Sequence, residues 1–399
     1  MSCTEHRQSS REQRVINLAQ HDHDTSRLDS AQVDFDFSTD SWGQLSLPYM
    51  KARMDILRQR ASQHPLDITQ VLARHFPFHH FIVTPRGRDA EDLLFTALAK
   101  PHTKVVQNIL FHTARSHQLS KGMLPVEIPH AQAFTDSTFP FKGNVDVDKL
   151  AQILATQKVS VVFIEALSNG VGGHPVSMEN LRAVRALAQR HGVPVYLDAT
   201  RAVENCMLIR EHETEFAGRD VRTIMQEFFS CCDGVTASLV KDYGVTCGGL
   251  LATNSAEVYA KACEHAGHST LMCGDVDQTL LAQAIDDRDY VANQVQVRMQ
   301  QTKMLSESLL QAGFPVRLPV GAHAVILDLS GLGITVPGYL AWLYELIGLR
   351  GARHWGGATL EYQRPLWIRL AMPLGFSALK ELQAALVAIS PNIPASHKA

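Results

Sequence analysis

Residues 159–199 read VSVVFIEALSNGVGGHPVSMENLRAVRALAQRHGVPVYLDA. The opening run, VSVVFIEAL, is nearly all apolar and lies between polar segments, as expected of a strand covered by helices on both faces. SMENLRAVRALAQRHG has the spacing of an amphipathic helix, and VPVYLDA returns to a β-type run that ends near Asp198. One strand–helix–strand unit is therefore expected here. The same alternation spreads outward: HHFIVT then DAEDLLFTALAK, KVVQNILF then ARSHQLSKG, and VPVYLDA then ENCMLIREHE. Strands alternating with helices of this length predict an α/β fold with a mostly parallel sheet.

The chain has 399 residues, enough for a main domain with a smaller one beside it. Residues 1–30 are polar and without periodicity, and read as a mobile arm or an oligomer contact. After Gly274 a long helical stretch is expected from Asp275 to about Leu310, followed by a mixed segment belonging to the second domain. The last residues, SPNIPASHKA, are expected to fray. Lys and Arg number 37 against 40 for Asp and Glu, so no broad basic surface for nucleic acid is expected. Seven cysteines without CxxC pairs fit a reduced compartment, and the polar N-terminus and absence of a long apolar run fit a cytoplasmic protein without a membrane span. No metal is expected.

Four segments carry candidate chemistry. In TPRGRDAEDLL a strand runs into a helix at Arg86-Gly87-Arg88, where backbone N–H groups and a close-approach glycine can cradle a phosphate, with Arg86 or Arg88 adding charge. In VPVYLDATRAVEN, Asp198 stands at a strand end, where ligands bind in open α/β sheets, and can hold a pyridine nitrogen protonated; Arg201 can reach a ring oxygen. In CDGVTASLVKDYGVTCGGLL, Lys241 lies among small and hydroxyl residues ahead of Gly248 and Gly249. Desolvation there lowers the pKa of an amine that is to form a Schiff base, and Ser238 is placed to bind phosphate. In FHTARSHQ, Phe111 can lie flat on a ring, and Arg369, further on in RPLWIRLAMP, can clamp a substrate carboxylate. Each has an ordinary alternative when taken alone: a turn with a surface arginine, a helix N-cap at Asp198, a solvated lysine, a core phenylalanine and a surface salt bridge.

Together these segments resemble the tyrosine phenol-lyase and tryptophanase family of pyridoxal-phosphate enzymes, from about Phe35 to Arg369. The similarity is strongest in GNVDVDKL, in GGHPVSMENLRAVRALAQRHGVPVYLDATRAVENCMLIRE and in DGVTASLVKDYGVTCGGLLATN. The resemblance implies pyridoxal 5'-phosphate carried as an imine on Lys241, the pyridinium held by Asp198 and the phenolic oxygen met by Arg201. It implies phosphate contacts from Arg86, Gly87, Arg88 and Ser238, stacking by Phe111, a ring-side Asn169, and substrate-carboxylate contacts from Thr39, Ser41 and Arg369. It also implies an aspartate aminotransferase-like fold of type I with a seven-stranded type of sheet, a large domain over 59–285, and a small α+β domain from 31–58 and 286–399. A homodimer or homotetramer with shared active sites follows from the same likeness.

The departures point away from tyrosine and tryptophan. Where the family has a tyrosine acid preceded by a cation-site glutamate, this chain reads ILRQRAS, which puts Gln59 at the acid's position. The first of the family's two lysines is Val240, and the threonine after the stacking phenylalanine is His112. RGARHWGGATLEYQRP is shorter than its counterpart, and the C-terminal extension that closes over an aromatic substrate is absent. The expected reaction is removal of the α-proton by Lys241, loss of a β-substituent through a quinonoid, and release of pyruvate and ammonia. His112 or His354 is the candidate general acid. A retro-aldol or β-substitution reaction on the same cofactor, and a non-catalytic cofactor-binding descendant, are the alternatives.

Overall fold

The computed structural model describes residues 8–41, 48–267, 271–354 and 366–389. Its strands in chain order are β1 (Phe35–Asp36), β2 (His80–Thr84), β3 (Lys104–Gln107), β4 (Leu124–Glu127), β5 (Val159–Glu165), β6 (Val195–Asp198), β7 (Gly234–Ser238), β8 (Gly249–Thr253), β9 (Ala324–Asp328), β10 (Leu349–Arg350), β11 (Ala352–His354) and β12 (Trp367–Ala371).

The quoted stretch forms β5, the helix Met178–Arg190 and β6. Ser177 starts the helix by accepting the N–H of Asn180 at 3.0 Å, and Glu179 in the first turn complements the helix dipole. Successive side chains of β5 enter opposite cores. Val162 and Ile164 pack with the helices Met178–Arg190 and Ala202–His212, whereas Val161 and Phe163 pack with the helix Gly87–Ala97. That two-sided burial explains why the strand is a continuous apolar run rather than an alternating one.

Seven strands make the central sheet in the order β2-β8-β7-β6-β5-β3-β4. All are parallel except β8, which runs antiparallel between β2 and β7. The mostly parallel α/β architecture expected from the sequence is thus the one observed. Glu165, Asp198 and Ser238 close the C-terminal ends of β5, β6 and β7, so their side chains gather along one edge of the sheet, where such folds bind ligands.

A second core lies around the antiparallel sheet β11-β12-β9, where Val325, Leu327, Ile368 and Leu370 pack with the helices Val336–Ile347 and Leu379–Ile389. The N-terminal segment joins it: β1 pairs in parallel with β10, the Phe37 N–H donates to Arg350 at 2.8 Å, and the Ala371 N–H donates to Phe37 at 2.8 Å. Phe35 and Phe37 are fully buried, which anchors the chain immediately before Thr39, Asp40 and Ser41.

Two expectations change. The helical stretch after Gly274 is two helices, Asp275–Asp286 and Arg288–Gln311. Asp287 breaks it with φ −82° and ψ 64°, its carboxylate drawn out of line by Arg53 at 2.7 Å and Arg60 at 2.6 Å. Within the N-terminal segment read as a mobile arm, Arg11–Gln20 is a docked helix. Its Arg14 donates to the carbonyls of Glu345 at 2.8 Å and Leu346 at 2.7 Å and pairs with Asp34 at 3.3 Å, satisfying the open end of the helix Val336–Ile347. The tail 390–399 lies outside the described residues. No described helix is long and apolar enough to cross a membrane.

Arg14→Ala is expected to destabilise the protein by about 2 kcal/mol, because it takes the side-chain donor from two carbonyls at the end of the helix Val336–Ile347 and leaves Asp34 with Ser9 as its remaining partner. Urea unfolding measures this, and a loss under about 0.5 kcal/mol would mean that the helix is not docked in solution.

Candidate active site

A cleft of about 1120 Å³ opens along the C-terminal ends of β5, β6 and β7 and is closed on its far side by β11 and β12. Thr39, Ser41, Arg86, Gly87, Arg88, Phe111, His112, Asn169, Asp198, Arg201, Ser238, Lys241, His354 and Arg369 all line it. Every candidate from the sequence therefore meets in one place, although Thr39 and Arg369 are far apart in the chain. Gln59 does not line the cleft. It is exposed on the helix Pro48–Gln63.

Lys241 follows β7. Its Nζ donates to the Asp40 carboxylate at 3.2 Å and to Ser41 Oγ. Burial destabilises its ammonium, Asp40 opposes that, and Arg201 and Arg369 add repulsion, leaving the pKa pushed down to about 8. The solvated-lysine alternative does not hold.

Asp40 was not singled out from the sequence, yet it is the electrostatic centre of the cleft. It is fully buried and accepts from Arg201 Nε at 2.9 Å and Nη2 at 2.7 Å, with Arg369 Nη2 3.7 Å away. Burial alone would raise its pKa, but Arg201, Lys241, His323 and Arg369 hold it well below the usual carboxylate range. The available signal was its place between Thr39 and Ser41, both already candidates.

At the end of β6, Asp198 is buried and accepts the Thr200 N–H at 3.0 Å. It does not cap the next helix, whose N-cap is Arg201. Two further carboxylates stand near it. Glu165 is its register partner on β5, and Glu91 projects from the helix Gly87–Ala97. Burial and the Asp198 charge raise both, Glu165 to about 8, and Glu91 Oε2 has no hydrogen-bond partner among the described residues. One added positive charge, such as a ring N–H⁺, would relieve this crowding.

The strand-to-helix turn at Arg86-Gly87-Arg88 touches the end of β7. A Cβ on Gly87 would lie 2.6 Å from Ser238 Cβ, so only glycine lets the helix start approach Ser238. Thr200 Oγ1 accepts the Ser238 N–H at 2.9 Å. The first N–H groups of the helix Gly87–Ala97, the Ser238 hydroxyl and two exposed arginines thus make a cradle suited to a phosphate. The glycine pair ahead of β8 serves protein packing instead: a Cβ would strike Leu281 from Gly248 and the Arg86 carbonyl from Gly249.

Phe111 is the N-cap of the helix His112–Ser120, its ring 4.3 Å from that of His112. Arg369 Nη1 donates to Asn169 Oδ1 at 2.5 Å across the cleft, so it is no surface salt bridge. His354 is buried, stacks on Trp367 at 5.9 Å and contacts the Gly170 carbonyl at 3.3 Å. Behind the cleft, fully buried Arg298 binds Glu204 at 2.8 Å, Asp242 at 2.6 Å and the Lys241 carbonyl at 2.8 Å, fixing the main chain that carries the lysine. No group of three or more His, Cys, Asp or Glu side chains is arranged to hold a metal among the described residues.

The residues fit pyridoxal 5'-phosphate: a cradle that a Cβ at Gly87 would fill, a carboxylate cluster wanting one cation, and an amine held close to deprotonation between them.

Comparison with known proteins gives the same picture. The beta-eliminating lyase family model matches residues 39–394. A tyrosine phenol-lyase of Clostridium tetani is 36% identical over 330 residues, covering 80% of this chain and 72% of that protein. A tryptophanase of Salinibacter ruber is 35% identical over 273 residues, covering 65% of this chain and 57% of that protein. Among solved structures, an aromatic aminotransferase of Pyrococcus horikoshii superposes with a TM-score of 0.66 at 13% identity, covering 96% of this chain and 98% of that one. A threonine aldolase of Leishmania major gives 0.65 at 13% identity, covering 90% and 100%. At these identities the two structures share the fold only.

Only the free amine attacks a carbonyl, so its fraction rises with pH through the lysine's pKa. Capture of Lys241 in the cofactor-free protein by pyridoxal, trapped with borohydride and mapped by mass spectrometry, is expected to reach half its limiting rate near pH 8. Asp40→Asn removes the charge that favours the ammonium and should move that midpoint to lower pH. A midpoint above about pH 10 would show that Lys241 behaves as a solvated lysine.

Proposed function

The chain belongs to the beta-eliminating lyase family and is a pyridoxal-phosphate-dependent lyase, and from that premise we propose that it removes a β-substituent from an amino acid other than tyrosine or tryptophan, releasing pyruvate and ammonia. The observation that carries this reading is Lys241, with its depressed pKa, facing Arg369 and Asp198 in one cleft.

When bound, the cofactor supplies a protonated ring that draws in the electron pair left at the substrate Cα. The chain's residues set up everything around that event. Gly87, Arg88 and Ser238, with Arg86, would hold the phosphate; Phe111 would cover the ring; Asp198 would keep the ring-nitrogen proton in place. Asn169 and Arg201 serve the ring's oxygen side, Arg201 being oriented by its two bonds to Asp40. Arg369 takes the substrate carboxylate in a planar, two-point grip, aided by Thr39 and Ser41. Lys241 Nζ then accepts the α-proton, and its nearness to neutrality makes it able to hold and return that proton.

Asp40 orients Lys241 and Arg201 and keeps either from pairing with the wrong anion. His112 lines the cleft and is the candidate to serve a departing group. The pairing of β1 with β10 supports a small domain assembled from residues 31–58 and 286–399, beside a large domain over 59–285 and an N-terminal segment over 1–30. Assembly as a homodimer or homotetramer with shared sites is part of the same reading. So is a cytoplasmic location.

Among the described residues no tyrosine lines the cleft, which supports excluding phenol and indole as leaving groups. Incubation with tyrosine or tryptophan is expected to yield neither, whereas β-chloro-L-alanine yields pyruvate. Release of phenol at a rate matching that of pyruvate from chloroalanine would refute the exclusion. Lys241→Ala should abolish the visible absorbance of the bound cofactor and cut pyruvate formation by about 10²–10⁴-fold or more. Gly87→Ala should weaken cofactor binding by about tenfold or more, read by absorbance titration, since the added methyl has no room beside Ser238.

A further inference from the structure

Three carboxyl groups line one end of the cleft: Asp198, Glu165 and Glu91. Asp198 is given to the ring nitrogen above, which leaves the other two without a task. Glu91 lies near the start of the helix Gly87–Ala97, and its buried carboxyl faces a row of polar groups that leads away from the cleft.

The first member of that row is His117 on the helix His112–Ser120, whose Nε2 is 4.0 Å from Glu91 Oε2. On the far side of the imidazole, Nδ1 is 3.3 Å from Asp92 Oδ1, and Asp92 is held in turn by Lys121 at 3.2 Å and His265 at 3.0 Å. Burial would raise the Asp92 carboxyl, but His265, Lys121 and His117 keep it below its ordinary value, so it stays ionised. An imidazole that donates Nδ1–H to a carboxylate presents the lone pair of Nε2 on its other side. His117 therefore turns a proton acceptor toward Glu91, and Asp92 is placed to steady the imidazolium that forms when a proton arrives.

Burial is the largest influence on the Glu91 proton. Asp198 at the end of β6 and Glu165 at the end of β5 add to it, while Thr113 of the helix His112–Ser120 and Arg88 of its own helix oppose them. The outcome is a pKa raised to about 8, so the carboxyl is protonated near neutral pH. A cation set among the three carboxyls reverses that balance, because it cancels the repulsion that keeps the proton on.

On the reading that Asp198 meets the ring nitrogen, we propose that Glu91 and His117 form a proton-transfer pair that serves the ring cation. As the protonated ring settles beside Asp198, Glu91 passes its proton to His117 Nε2 and becomes a second counter-charge. The O–H bond of the carboxyl breaks with its electron pair left on oxygen, and the proton binds the Nε2 lone pair. A side-chain rotation or one bridging water closes the 4.0 Å gap. No other reactant enters, and the imidazolium lies between the carboxylates of Glu91 and Asp92. Glu91 is thus a positioning residue for the ring, and His117 acts through Glu91.

The test adds pyridoxal 5'-phosphate, or its carbocyclic analogue with CH in place of the ring nitrogen, to the cofactor-free protein at about pH 7. Infrared difference spectra, assigned with Glu91→Gln, follow the protonated-carboxyl band of Glu91. The band is expected to disappear with the cofactor and to stay with the analogue; in His117→Gln it should stay with both. The ratio of cofactor affinity to analogue affinity is the second readout. Glu91→Gln and His117→Gln should each lower it by about tenfold, and the double variant no further, since both act through one proton. At about pH 9, where the proton has already left, the loss should fade in His117→Gln and persist in Glu91→Gln. A Glu91 band that survives cofactor binding, or disappears equally with the analogue, overturns the proton transfer, as does a wild-type ratio in His117→Gln. If the wild-type protein and Asp198→Asn both bind cofactor and analogue equally well, the placement of the ring nitrogen at Asp198 falls, and this inference with it.

Discussion

The arrangement of the cleft depends on one buried carboxylate. Asp40 has no exposure to water and is surrounded by Arg201, Lys241 and Arg369. An unpaired carboxylate so placed would be very costly, and three cations crowded together without it would repel one another. Each side therefore requires the other. The consequence is structural as well as electrostatic, because the three cations come from the end of β6, the loop after β7, and β12, and Asp40 itself arrives from the N-terminal segment. One charge cluster ties four distant parts of the chain into a single site.

That cluster also divides the cleft chemically. On the sheet side, Asp198, Glu165 and Glu91 form a region short of positive charge, which suits a protonated ring nitrogen. Guanidinium groups also line the cleft, and such groups match phosphate and carboxylate. Lys241 sits at the boundary. Burial and two arginines push its proton off while Asp40 holds it on, and the balance near neutral pH is what a residue that must both give and take a proton needs. Arg298 secures this from behind by binding the Lys241 carbonyl and the Asp242 carboxylate, so that the lysine's main chain has little freedom to drift.

The chain shares its family with tyrosine phenol-lyases and tryptophanases. We read the cofactor cradle, the ring-nitrogen carboxylate, the lysine and the carboxylate clamp as the machinery held in common with them. Of the departures read from the sequence, Gln59 is exposed and does not line the cleft, whereas His112 does. Most of the segment 350–365, expected from the sequence to depart from the family, lies outside the described residues.

Local chemistry was enough for the sequence to determine the α/β architecture and most of the site. The apolar run of β5 had to be covered on both faces, glycine at 87 marked a close approach, and Lys241, Asp198 and Arg369, each ordinary alone, pointed to a cofactor site when taken together. What the sequence could not reveal were interactions whose partners lie far apart in the chain. Arg14 looks like one charged residue in a polar arm until the end of the helix Val336–Ile347 comes to meet it. The helix break at Asp287 depends on Arg53 and Arg60, more than two hundred residues earlier. Asp40 reads as an ordinary aspartate in FDFSTDSW, because the charge and burial of a carboxylate are set by what surrounds it. Only the tertiary structure decided those surroundings, since Coulomb interactions and desolvation act through space rather than along the chain.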